Sequence, residues 1–167
     1  KVVSKKKALN VVPDLTKVSP KELVGFLGSE NGWLRDRAQQ LLIHKKAKSQ
    51  KKDLYSLAKI DSEYSSGIHA LYVLDGLKML SFNSLREVFN SSKSLEKRAH
   101  ILLLMESLAT VENAPEMADI VKSVLAAENS FLDLYLGISL NSWVKKSPET
   151  FMLVLSQIAE RYSDDKV

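Results

Sequence analysis

The sequence predicts an all-α fold, and three observations carry that prediction. Apolar residues recur at three- and four-residue intervals along most of the chain. Only six glycines and four prolines occur in 167 residues, too few for a loop-rich or all-β protein. After residue 12 no run of two-residue alternation appears.

Each helix has its own local reasons. Ser19-Pro20-Lys21-Glu22 starts the first: Ser19 caps, Pro20 takes the first helical position, and Glu22 complements the dipole. Leu23, Phe26 and Leu27 give it an apolar stripe, and Gly28 and Ser29 weaken its end. Asn31-Gly32 turns the chain into a second helix over 33–46, with Trp33, Leu34, Ala38, Leu41 and Leu42 on its inner face. A third is expected over 51–60, with Leu54, Leu57 and Ala58 inward, and a fourth over 64–80 around Ile68, Leu71, Tyr72, Leu74, Leu77 and Met79. A fifth covers 83–90, and a sixth 95–109, apolar on most sides and so buried between neighbours. Pro115 opens a seventh to residue 127, an eighth follows over 129–146, and Pro148 opens a ninth ending near Tyr162. On the eighth, Tyr135 and Trp143 lie with Leu132, Leu136 and Leu140, a stripe that reads as core.

A repeat is visible in this series. Arg37-Ala38, His69-Ala70 and Arg98-Ala99 each place a basic residue and a small one before a leucine-rich face, at steps of 32 and 29 residues. Those steps suit two-helix repeats, and the small residue lets paired helices approach closely. The expected architecture is a HEAT-like α-α superhelix, a solenoid of about four to five helical hairpins. It spans residues 19–163, after a linker or exit from a preceding domain at 1–18 and before a frayed polar tail at 164–167.

Composition excludes several kinds of chemistry. With no cysteine, the segment has no disulfide, thiolate nucleophile, Cys-ligated zinc or covalent haem attachment. No apolar run reaches membrane-spanning length. The net charge of +4 is concentrated at Lys1, Lys5, Lys6 and Lys7 and at Lys45, Lys46, Lys48, Lys51 and Lys52. These runs are almost purely lysine, without the aromatic or arginine interleaving of a nucleic-acid surface, and read as a solvated tail and loop. Nucleic-acid binding of the DNA-glycosylase HEAT type is therefore disfavoured. The chain opens on Lys1 without a methionine, as a processed chain or an excised piece does.

The interaction candidates are Trp33, Arg35, Asp36, Arg37, His69, Arg98 and His100. Arg35, Asp36 and Arg37 crowd beside Trp33, where an arginine can stack and the charges can pair into adjacent repeats as a polar ladder, with Glu96, Arg98 and Glu106 extending it. His69 and His100 lie one repeat apart beside small residues, but no HxxxH or HxxE pair supports a metal site. No Ser–His–Asp constellation, phosphate-cradling glycine loop or environment for paired carboxylates is present, so no catalytic or cofactor-binding residue is expected.

Two runs, Pro13 to Val24 and Asn31-Gly32-Trp33-Leu34-Arg35-Asp36-Arg37-Ala38-Gln39-Gln40-Leu41-Leu42, resemble the HEAT-repeat region of large bacterial membrane-bound dehydrogenases of planctomycete and Bacteroidetes type. His69-Ala70-Leu71-Tyr72-Val73-Leu74-Asp75-Gly76-Leu77 is similar to that family's second signature, with Tyr72 where a tryptophan is usual, and Leu95 to His100 fits its third. The resemblance covers about residues 1–110. In that family a sorbosone-dehydrogenase-like β-propeller precedes the repeats and a c-type cytochrome domain often follows. The resemblance implies that Val2 to Lys7 ends the propeller, and that the segment is a spacer in an exported, periplasmic protein. Haem c would belong to the whole protein and to no residue here. Its partners would be the propeller and cytochrome of its own chain. Without that context, the alternative is a free-standing HEAT module that grips another protein or a peptide.

Overall fold

A computed structural model describes residues 13–61 and 65–163. The propeller exit at Val2 to Lys7 and the frayed tail at 164–167 lie outside the described residues; of the expected linker at 1–18, residues 13–18 are described, and Leu15–Lys17 form a 3-10 turn there. Among the described residues the fold is all-helical: α1 (Pro20–Phe26), α2 (Gly32–His44), α3 (Lys51–Ala58), α4 (Ser66–Gly76), α5 (Phe82–Ser91), α6 (Leu95–Glu106), α7 (Ala114–Ala126), α8 (Ser130–Lys146) and α9 (Pro148–Arg161). Single 3-10 turns precede α1 (Leu15–Lys17) and α3 (Lys48–Gln50).

Local chemistry sets the boundaries. Ser19 forms a capping box with Glu22, and its backbone N–H donates to the Glu22 carboxylate. Asn31, Ser94 and Asn129 each accept a first-turn N–H, capping α2, α6 and α8. Helix α2 stops at Lys46 (φ 50°) and α4 at Lys78 (φ 57°), both in the left-handed region. In both, the next amide reaches back five residues, Ala47 to the Leu42 carbonyl and Met79 to the Leu74 carbonyl. The two endings lie 32 residues apart, the step already seen between Ala38 and Ala70. This reversal also explains why α4 ends before the residue-80 boundary that its apolar pattern suggests.

Successive helices pair as α1 with α2, α3 with α4, α5 with α6 and α7 with α8, and α9 packs on both α7 and α8. The second helices of the pairs also meet in order, α2 on α4, α4 on α6 and α6 on α8. One continuous apolar cluster runs through all nine helices. Ala38, Ala70 and Ala99 are fully buried in it, as close helix approach requires. Gly76 serves the same end, since a Cβ there would lie 2.6 Å from Ile43 Cδ1. Trp143 is fully buried between Phe82 and Phe151, so it is core. Trp33 corrects its expected place on the inner face: at the first turn of α2 it is 56% exposed.

The joint between pairs is a buried ammonium. Lys97, 2% exposed on α6, donates to the carbonyls of Ala58 (2.9 Å) and Ile60 (2.8 Å) and pairs with Asp61 (2.6 Å). Asp61 also accepts from the Ser92 hydroxyl and the Lys93 amide, both at 2.7 Å. The cation thus sits at the negative end of α3, and the carboxylate holds the α5–α6 turn. Burial works to raise the Asp61 pKa, but the hydrogen bonds from Lys97, Lys93 and Ser92 outweigh it and hold it at about 2. Gly67 leaves room for this arrangement: a Cβ would lie 2.9 Å from the Ile60 oxygen and 3.1 Å from both the Ala58 oxygen and Lys97 Nζ. The far end is tied by Asp133, fully buried on α8, which accepts from Arg161 and from the Tyr162 hydroxyl, both at 2.8 Å.

Two predictions arise from the Lys97 joint. Lys97→Met strands two carbonyls and a carboxylate, and should lower unfolding free energy by about 3 kcal/mol in urea denaturation. Gly67→Ala should lower it by about 2 kcal/mol through overpacking, although alanine is ordinarily the better helix residue. Because the folded Asp61 pKa lies below its ordinary value, its contribution is complete above about pH 4 and is lost as pH falls towards 2. Acid unfolding of Asp61→Asn should accordingly be flatter over that window; a wild-type slope would refute the assignment.

Candidate functional site

The second helices of the four pairs turn one face outward, and their half-buried polar and aromatic groups form a row across it. The row starts on α2, where Arg35 donates to the carbonyls of Ser29 (2.7 Å) and Glu30 (3.2 Å), fixing the α1–α2 turn. Its Nε–H points to His69 Nε2 on α4 at 3.4 Å, and His69 Nδ1 lies 2.7 Å from Gln39 Oε1. An acceptor at Nε2 and a donor at Nδ1 define the neutral, Nδ1-protonated imidazole. Burial lowers the His69 pKa, and Arg35 and His100 add to this against the opposing charge of Asp36.

From α4 the row continues through Tyr72, whose hydroxyl lies 2.9 Å from His100 Nδ1 on α6, with the rings edge to face. Burial first, and then the charge of Asp75, raises the Tyr72 pKa. His100 faces Tyr135 on α8 at 6.5 Å between ring centres, and Tyr135 meets Phe131 at 4.9 Å. Two flanking links repeat the pattern: Ser65 donates to Glu96, and Ser142 of α8 donates to Glu106 of α6.

On α8 the row becomes apolar. Phe131 (41%), Leu134 (59%) and Ile138 (54%) are exposed beside Tyr135, at spacings that place them on one side of the helix. The opposite side carries the buried Leu132, Leu136, Leu140 and Trp143. Thus α8 is apolar on two faces, one buried and the other largely exposed among the described residues.

The predicted site residues separate in space. Arg35, His69 and His100 join the row, with Asp36 at its margin. Trp33 has no ring or cation stacked on it among the described residues. Arg37 does not reach an adjacent repeat; its guanidinium contacts Gln40 of its own helix and faces the 3-10 turn before α1. Nor does Arg98 extend the ladder. It stacks on Phe89 of α5 at 4.3 Å, with its buried Nε unpartnered among the described residues. The sequence reading missed Tyr72 and the α8 stripe as surface elements. Their signal was available in the helical spacing of His69 with Tyr72 and in the two-sided apolar pattern of 131–143.

Both row histidines have partners inside the fold, and no group of three His, Asp or Glu side chains among the described residues is arranged to hold a metal. Among those residues no helix is long and apolar enough to cross a membrane. No family model, no curated protein and no solved structure matches the chain.

The His69 tautomer can be tested directly. In an NMR pH titration its midpoint should fall below 6.5, and Arg35→Ala should move it upward. A wild-type midpoint above 6.5 would contradict the Arg35 hydrogen bond. A depressed His69 stabilises the fold above its unfolded pKa, and that contribution is lost as pH falls through the folded value.

Proposed function

We propose that this chain is a HEAT-like helical-repeat scaffold that holds a protein partner and carries out no reaction itself. The observation that carries the reading is the uncovered apolar stripe of α8, which continues the row begun by Arg35, His69 and His100. A helix apolar on two sides is stable in water only at a cost, and a second protein surface would remove about the exposed area of Phe131, Leu134 and Ile138 from solvent. Support for the superhelix comes from the ordered contacts of α2, α4, α6 and α8 and from the matching helix endings at Lys46 and Lys78.

Within the setting implied by the resemblance to membrane-bound dehydrogenases, the partner is a neighbouring propeller or cytochrome domain of the same exported polypeptide. Haem c and any sugar or alcohol oxidation then belong to those domains. As a free-standing module, the same stripe would take an amphipathic helix of another protein.

A photo-reactive phenylalanine analogue at position 131 or 138, introduced in the native host, separates these readings. A cross-link within one long polypeptide fits the scaffold; a cross-link to a separate chain fits the free module. Equal cross-linking from position 122 on α7, or none from 131 and 138, would sink both.

A further inference from the structure

A cleft lies away from the row, between α2 and the 3-10 turn Leu15–Lys17. Thr16, Arg37, Gln40, Leu41, His44 and Lys45 line it, around a space of about 700 Å³. That volume falls within the usual range for small-ligand sites. The helical period places Arg37, Gln40 and His44 on successive turns of one α2 face, the side opposite the contacts of Arg35 and Gln39 with His69. Leu41, 7% exposed, forms an apolar floor between them.

The lining is cationic and firmly held. Lys45 donates to the Thr16 carbonyl at 2.9 Å, which spans the cleft and leaves its other two ammonium protons available. Thr16 is itself held by Asp14, through its amide at 3.1 Å and its hydroxyl at 2.6 Å. Arg37 contacts the Gln40 side-chain oxygen at 3.3 Å and makes no ion pair among the described residues. Among the described residues no carboxylate lines the space. Cations at a helix C-terminus also answer the helix dipole, which accounts for His44 and Lys45. Arg37 lies two turns upstream of that end, where the dipole effect does not reach, so its uncompensated charge needs another explanation.

We infer that this cleft binds an oxyanion, a phosphate or carboxylate group carried by a ligand. Arg37 supplies the planar donor fork, with Lys45 and the Gln40 amide as further donors. The site is independent of whichever protein meets the α8 stripe, so failure of one reading leaves the other standing.

The test is an ¹H–¹⁵N NMR titration of the chain with inorganic phosphate, pyrophosphate and citrate at constant ionic strength, with chloride as the control. Saturable shifts are expected at the Thr16 and Lys45 amides and the Arg37 Nε–H, in the millimolar range or tighter, on the order of 4 kcal/mol of binding. Arg37→Ala should weaken binding about tenfold, one such contact being worth about 1.4 kcal/mol, with the amide spectrum otherwise unchanged. Lys122→Ala on α7 should have no effect. Binding of phosphate and pyrophosphate alone identifies a phosphoryl group, and binding of citrate alone a carboxylate. Shifts that grow linearly without saturating, match those in chloride, or titrate with undiminished affinity in Arg37→Ala would overturn the assignment.

Discussion

One buried ammonium sets the geometry on which the rest of the molecule depends. Lys97 leaves water to meet two carbonyls at the end of α3 and the Asp61 carboxylate. Desolvating a charge is costly, and only a complete set of partners offsets it. The contacts therefore demand one relative placement of α3, α4 and α6. Gly67 lets the start of α4 come close enough, and Asp61 draws in the α5–α6 turn through Ser92 and Lys93. Apolar packing fills the same joint but would tolerate small rotations; the ion and its acceptors do not.

That placement brings His100 level with Tyr72 and Tyr135, and so makes the row continuous from α2 to α8. The row is polar where helices meet through hydrogen bonds and apolar along the exposed face of α8. Its histidines link neighbouring helices, His69 through Arg35 and Gln39 and His100 through Tyr72. Helix α2 divides its charged cluster between two surfaces. Arg35 turns towards α4, while Arg37 turns towards the 3-10 turn and the basic cleft. Neighbours in sequence thus serve different surfaces, because two residues along a helix is more than half a turn.

Much of the fold was legible because it rests on local rules. The capping box at Ser19 and Glu22, the caps at Asn31 and Asn129, and the helix starts at Pro20, Pro115 and Pro148 follow from side-chain chemistry within one turn. The small residues Ala38, Ala70 and Ala99 mark the close-packed positions in the sequence itself, and all three are fully buried. The candidate site was less legible. Periodicity identifies an apolar stripe but not whether a neighbour covers it, so Trp33 was assigned inward and the second apolar face of α8, at Phe131, Leu134 and Ile138, was not singled out.

The sequence by itself determined the helical character of the described residues and the placing of the small residues Ala38, Ala70 and Ala99, since helix periodicity and caps depend on residues within a turn of one another. Tertiary structure alone decided what the charged residues do. Lys97, between Glu96 and Arg98 in a charged run, looks like any solvated lysine until α3 ends beside it. Its burial depends on carbonyls 37 and 39 residues away. Arg98 and Arg37 parted from the ladder for the same reason: the neighbour that a side chain meets is set by the packing of whole helices and is not written in the adjacent residues.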